Sequence, residues 1–199
     1  MNTRRPILAF DFDDVLMSFQ NGFIAFHNRM YGTTIAYEDV VSYDARAYQC
    51  DFETFTERVH VFYQSPDYME VVPTSGSIEA LRFLQDQYLL DVVTNRPATV
   101  RDRTYAWTDQ FFPNVFHTFH FTNGFGASHD VQKRLKSEIC EEIGAVVLVE
   151  DALGHAADVA QKGIPVLLPD RPWNQGPLPI GVIRVHSWDE IVSWITARI

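Results

Sequence analysis

The sequence predicts an α/β fold: a Rossmann-like parallel sheet flanked by helices, with a small helical cap inserted after the first strand. Three observations predict it. Short apolar runs at Ile7–Phe10, Leu89–Thr94, Val115–Phe121, Ala145–Val149 and Pro165–Leu168, with a weaker one at Val182–Val185, alternate with helical patterns at Ser77–Gln87, Ala98–Phe111, Asp130–Ile143, Gly154–Lys162 and Ser187–Ile199. Strands alternating with helices of that length form parallel βαβ units with right-handed crossovers. The boundaries carry matching chemistry: Gly144 and Gly163 stand where left-handed caps belong, and Ser187 precedes a Glu at position 190 in capping-box spacing. Finally, the alternation breaks once. Between Ser18 and Val72 there is no strand signal, while Phe19, Phe23, Phe26 and Met30, then Phe52, Phe55, Val59 and Phe62, recur at helical spacing. Residues 1–17 and 73–199 therefore read as the core and 18–72 as a helical lid, its aromatic stripe packing the lid helices together.

Composition bounds what such a domain can do. The 199 residues are 46% hydrophobic and 21% charged, enough for a sizeable core. No apolar run is long enough to cross a bilayer, and Asp11 and Asp13 interrupt any signal-like stretch. Cys50 and Cys140 stand alone, which indicates neither a disulfide framework nor zinc and makes a reducing cytoplasm the default. A net charge of −10 argues against a nucleic-acid polymer as partner. It leaves room for a small phosphorylated metabolite, because a divalent cation with one or two local cations reverses the potential inside a cleft. The oligomeric state stays open, a homodimer included.

The chemistry-bearing residues fall at strand ends. Asp11-Phe12-Asp13-Asp14 follows the first apolar run directly, and ligands of open α/β sheets bind beyond the carboxyl ends of the strands. One carboxylate there can attack phosphorus while the other moves a proton. Thr94-Asn95-Arg96 ends the second strand, where a hydroxyl and backbone N–H groups can hold phosphate oxygens; a turn or helix cap accounts for the same residues. Glu150-Asp151 ends the run Val146–Val149, and two acids there are costly unless a cation meets them. Asp11, Asp151 and the Asp13 backbone carbonyl make a hard oxygen site suited to Mg²⁺, with Glu150 a partner behind it. Lys136, on the helix leading into that strand, can neutralise the carboxylates and bind phosphoryl oxygens, with Lys133 and Arg103 competing for the role. His155 lies close to Asp151 in sequence, and the Pro-rich stretch 169–177 belongs to the same rim. Gly124-Phe125-Gly126 lacks the third glycine of a dinucleotide fingerprint, and no P-loop or GxSxG elbow occurs.

Taken together, these motifs resemble the haloacid-dehalogenase-like phosphohydrolase superfamily, over nearly the whole chain. The resemblance implies that Asp11 is a nucleophile becoming an aspartyl phosphate and Asp13 the general acid/base. It likewise implies that Thr94 and Asn95 with Lys136 bind phosphate, and that Asp11, Asp13 and Asp151 hold Mg²⁺. Asp11 through Leu16 with Phe19, Val149-Glu150-Asp151, and Asp170 through Asn174 are similar to the 5′(3′)-deoxyribonucleotidases and their bacterial relatives. That narrower likeness implies a phosphomonoesterase acting on nucleoside monophosphates, with Phe19, Tyr43, Arg96 and Glu150 as substrate-side residues. Glu38-Asp39 and Tyr43-Asp44 stand where those enzymes carry an aromatic pair, and Asp14 replaces the glycine usual after the second aspartate. A sugar-phosphate phosphatase is the nearest rival. Phosphonatase chemistry needs a cap lysine, and residues 18–72 contain none. A phospho-accepting receiver would not insert some fifty residues after its first strand, and a dead scaffold would have lost one of Asp11, Asp13, Lys136 or Asp151.

Overall fold

The computed structural model describes residues 5–42, 45–125 and 132–199. Six parallel strands form one sheet in the order β3-β2-β1-β4-β5-β6. They are β1 (Ile7–Phe10), β2 (Leu89–Thr94), β3 (Thr118–Phe121), β4 (Ala145–Val149), β5 (Val166–Pro169) and β6 (Val182–Val185). Strand β1 lies between β2 and β4 and is buried along its whole length, hence its continuous apolar run. Alternate side chains supply two cores. Leu8, Phe10, Leu90, Val92, Val147 and Val149 join one hydrophobic cluster with Leu81, Trp107 and Ile191. Ala9, Val93, Leu148, Val166 and Leu168 join the other with Ile139, Cys140, Ala156 and Val159. The helices carrying those partners are α4 (Ser77–Leu84), α5 (Arg101–Phe111) and α8 (Trp188–Arg198) for the first, and α6 (Lys136–Ile143) and α7 (Leu153–Ala160) for the second.

Boundaries moved where local geometry overrode pattern. The expected helix over 130–143 begins only at Lys136: 132–135 is irregular, and 130–131 lie outside the described residues. The strand expected from Val115 starts at Thr118, because Val115 closes the turn leaving α5. Both capping expectations hold at their strongest points. Gly144 takes φ +70° after α6, and the Ser187 hydroxyl accepts the Glu190 amide while Glu190 accepts that of His186.

Between β1 and α4 the chain leaves the sheet and returns to the same place. Ser18 N–H donates to the Val72 carbonyl, and Met17 bridges Pro73. The excursion holds α1 (Phe19–Tyr31), α2 (Phe52–Gln64) and the single turn α3 (Asp67–Glu70), and no strand among its described residues. Asp51 caps α2 by accepting the Thr54 amide at 2.8 Å. Phe23, Phe26, Phe55, Phe62 and Tyr48 pack ring against ring inside it. Each such buried ring contributes about 1.5–3 kcal/mol, and the rings are continuous with the hydrophobic cluster that holds Leu8, Phe10 and Trp107.

Candidate active site

The parallel ladder sets the geometry. Asp11 N–H still donates to the Val149 carbonyl, so Asp11 occupies the last rung of β1 beside Glu150, whose own N–H donates to Leu167. The acids ending two adjacent strands are thereby brought together. Oxygens of Asp11, Glu150 and Asp151, all three buried, lie within 4.8 Å of one another. Lys136, at the first turn of α6 and 3% exposed, places Nζ 2.7 Å from Asp11 Oδ1 and 2.6 Å from Glu150 Oε2. Of the competing cations, Lys133 lines a neighbouring depression and Arg103 donates to the Ser65 carbonyl. The second oxygen of Glu150 accepts the Ala152 amide at 2.9 Å. Glu150 is therefore held between Lys136 and the backbone, where it orients the lysine.

Burial pushes the Asp11 carboxyl up to about 7, with repulsion from Glu150 adding to the effect and Lys136 opposing it. For Lys136 the carboxylates outweigh burial and hold its ammonium well above its ordinary range. One lysine cannot balance three buried carboxylates, and the donor set is all oxygen; that chemistry fits a hard divalent cation. Asp151 is braced from the Pro-rich stretch: Trp173 Nε1 donates to its carboxylate and Asn174 to its carbonyl, both at 2.8 Å.

Asp13 points elsewhere. Its two oxygens take a fork from Arg96, with Nε to Oδ2 at 3.0 Å and Nη2 to Oδ1 at 2.6 Å. Arg96 is 1% exposed and engaged on every side, so it is not a free arm for substrate. Thr94 is fully buried behind the cavity wall, its hydroxyl accepting the Arg96 amide at 3.3 Å, whereas Asn95 lines the cavity. A Cβ on Gly124 would come within 1.8 Å of Asn95 Oδ1, so the glycine lets this turn close against the Asn95 amide. Asp14 adopts φ +55°, a left-handed conformation that favours glycine and that Asp tolerates. Its buried carboxylate accepts the Gln20 amide at 3.0 Å at the start of α1, and burial raises its pKa well above the usual carboxylate range.

All of this opens on one cavity of about 240 Å³. Its floor holds Asp11, Asp13, Asp14, Glu150, Asp151, Arg96 and Lys136; its roof holds Phe19, Phe52, Phe55, Val59, Tyr63 and Phe125. Phe19 lines this cavity from the start of α1. Tyr43 lies outside the described residues. Phe52, Phe55 and Val59 were legible only as a helix stripe. For Phe125 and Tyr63 the sequence carried no signal.

The whole of this architecture lies within residues 5–199, which match the family described as 5′ nucleotidase, deoxy (pyrimidine), cytosolic type C protein. The Bacillus subtilis protein YqfW, provisionally named a nucleotidase, is 28% identical over 190 residues, 94% of this chain and 92% of its own. A similarly named protein of Halalkalibacterium halodurans is 25% identical over 175 residues, 87% of this chain and 84% of its own. Solved structures share the fold. A haloacid dehalogenase-like hydrolase of Streptococcus pneumoniae superposes with a TM-score of 0.68 at 14% identity, covering 98% of this chain and all of its own. The Bacillus subtilis hydrolase YfnB, solved bound to magnesium, superposes with a TM-score of 0.65 at 15% identity, covering 99% and 100%.

Proposed function

Because the chain belongs to this nucleotidase family and is a hydrolase of phosphoric monoesters, we propose that it dephosphorylates nucleoside monophosphates through an aspartyl-phosphate intermediate, with Mg²⁺ bound. The observation that carries the reading is the pairing, in one cavity, of a carboxylate-and-lysine floor with an aromatic roof. The floor is built for phosphoryl transfer, and the roof suits a flat, uncharged leaving group better than a polyhydroxylated sugar.

In this reading an Asp11 oxygen attacks phosphorus in line, and the bond from phosphorus to the ester oxygen breaks. The departing oxygen takes a proton from Asp13. Water then attacks the aspartyl phosphate and gives its proton to the Asp13 carboxylate, while the bond from phosphorus to Asp11 breaks, releasing inorganic phosphate. Lys136 and the Asn95 amide hold phosphoryl oxygens, and Thr94 acts by fixing the Arg96 turn. Asp11 and Asp151 with the Asp13 carbonyl would hold Mg²⁺, which when bound supplies positive charge to the transferring oxygens. Glu150 orients Lys136.

Residues 18–72 work as a cap over a core of 1–17 and 73–199, reading the leaving group and excluding water. The paired entry and exit of this excursion at Ser18 and Val72 support that division. No helix among the described residues is long and apolar enough to cross a membrane, and the family's description supports work in the cytoplasm on free metabolites.

The test is phosphate release from a panel of nucleoside monophosphates and sugar phosphates, with Mg²⁺ and with EDTA. Metal-dependent turnover favouring nucleotides is expected. A preference for sugar phosphates would remove the nucleotide assignment and keep the chemistry.

A further inference from the structure

We propose that Arg96 is a positioning residue for the acid/base Asp13, tying its orientation to the cap helices. The inference rests on the reading of Asp13 given above. The Arg96 guanidinium is enclosed completely, so its charge needs a partner carboxylate and its N–H groups need acceptors. Asp13 takes the fork from Nε and Nη2. Nη1 donates to Tyr68 Oη and, at 3.0 Å, to Thr104 Oγ1, while Nη2 also meets Met17 Sδ at 3.3 Å. The guanidinium lies 4.1 Å over the Phe12 ring, with Tyr63 and Tyr68 at 5.2 and 5.3 Å. Tyr63 and Tyr68 belong to α2 and α3 of the cap; Phe12, Thr104 and Asp13 belong to the core.

A brace between cap and core could have used any buried acid. This one uses a carboxylate that is 27% exposed at the cavity wall. The fork fixes the plane of that carboxylate through one lone pair on each oxygen. One more on each oxygen is left to carry or receive the proton. A lysine would neutralise Asp13 without fixing its plane. Seating of the cap, transmitted through Tyr68 and Arg96, thus sets the orientation from which Asp13 serves the leaving oxygen.

The experiment compares two substrates of different leaving-group demand: a nucleoside monophosphate, whose alkoxide must be protonated, and p-nitrophenyl phosphate, whose phenolate leaves unaided. The readout is kcat/KM, which covers the steps only through release of the leaving group and so omits hydrolysis of the aspartyl phosphate, for wild type, Asp13→Asn, Arg96→Gln, Arg96→Lys, Tyr68→Phe and the Asp13→Asn/Arg96→Gln double variant. Arg96→Gln should lose about 100-fold in kcat/KM on the nucleotide, the lower end of what a positioned acid contributes, and no more than about a tenth of that loss on the aryl ester. Arg96→Lys, which keeps the charge and is the safer variant for folding, should show the same selectivity. Tyr68→Phe, which deletes only the hydroxyl, should shift the ratio of the two rates in the same direction by less. The double variant should be no slower than Asp13→Asn alone. Equal losses on both substrates, or none, would make Arg96 a structural brace and overturn the proposal. Asp13→Asn is the control for the underlying reading: if it lowers kcat/KM equally for both substrates, the acid assignment fails first and the inference with it.

Discussion

The floor of the cavity gathers five carboxylates, one arginine and one lysine onto turns fixed by the parallel ladder, whereas the roof offers four aromatic rings and a valine from α1 and α2, with Phe125 from the turn after β3. Floor residues are held by charge: Lys136 lies between Asp11 and Glu150, and Arg96 is forked onto Asp13. Roof residues are held by packing, with Phe19 against Phe23, Phe62 and Tyr63 at centroid distances of 5.5 to 5.9 Å. A floor of this kind tolerates little substitution, since removing Lys136 or Arg96 leaves buried or half-buried carboxylates without the cation that faces them. A roof of packed rings can change shape residue by residue while the chemistry below stays the same. Such a division lets one fold serve many leaving groups.

The comparison breaks most visibly at Lys136. Lys136→Met leaves Asp11 and Glu150 buried without their cation, and chemical denaturation in EDTA should show a loss of about 3–5 kcal/mol. A loss below about 1 kcal/mol, the size expected of a surface ion pair, would mean that the floor is not charge-locked.

A smaller effect of the same origin is expected with pH. Burial raises Asp11 from its ordinary 3.8 to about 7 and raises Asp14 in the same direction. A carboxyl whose pKa is higher folded than unfolded favours the folded state while protonated and loses that contribution as pH rises through the folded value. Metal-free protein should therefore fall in Tm between about pH 4 and pH 7 on account of Asp11, with Asp14 acting in the same direction. Saturating Mg²⁺ should flatten the profile, because a bound cation favours the ionised form. A metal-free Tm that climbs across that window would contradict the assignment.

On the roof, Phe55→Ala should lower kcat/KM for nucleoside monophosphates by about 1–3 kcal/mol, the range of one base–aromatic contact, with kcat little changed. Loss of kcat alone would place Phe55 with the floor.

Much of this was legible in the sequence, for identifiable reasons. Strands covered on both faces are mostly apolar, so β1 and β4 announced themselves, as did β2 despite the buried Asp91 that meets His117 and His120, and the acids ending β1 and β4 could be paired once the sheet was inferred. Lys136 was found because a cation had to meet those acids. Side-chain partners far apart in sequence were not legible. Arg96 read as an arm for substrate and Thr94 as a phosphate contact, because nothing local shows that Arg96 reaches back 83 positions to Asp13 or that Thr94 turns its hydroxyl to the Arg96 amide. Tyr68 gave no sign of its role, and the stripe Phe52, Phe55, Val59 and Phe62 revealed its period but not which of its members face a cavity.

The central claim is that Asp11 becomes covalently phosphorylated, and rapid quenching followed by mass mapping tests it most directly. Wild-type protein mixed with a nucleoside monophosphate and Mg²⁺, then quenched in acid within a turnover, should carry one phosphoryl group on the peptide containing Asp11. Asp11→Asn should fold, carry none, and lose about 10⁴-fold or more in turnover, the scale set by deleting a covalent nucleophile. Phosphoryl label on another residue, or full turnover with no label at all, would contradict the account.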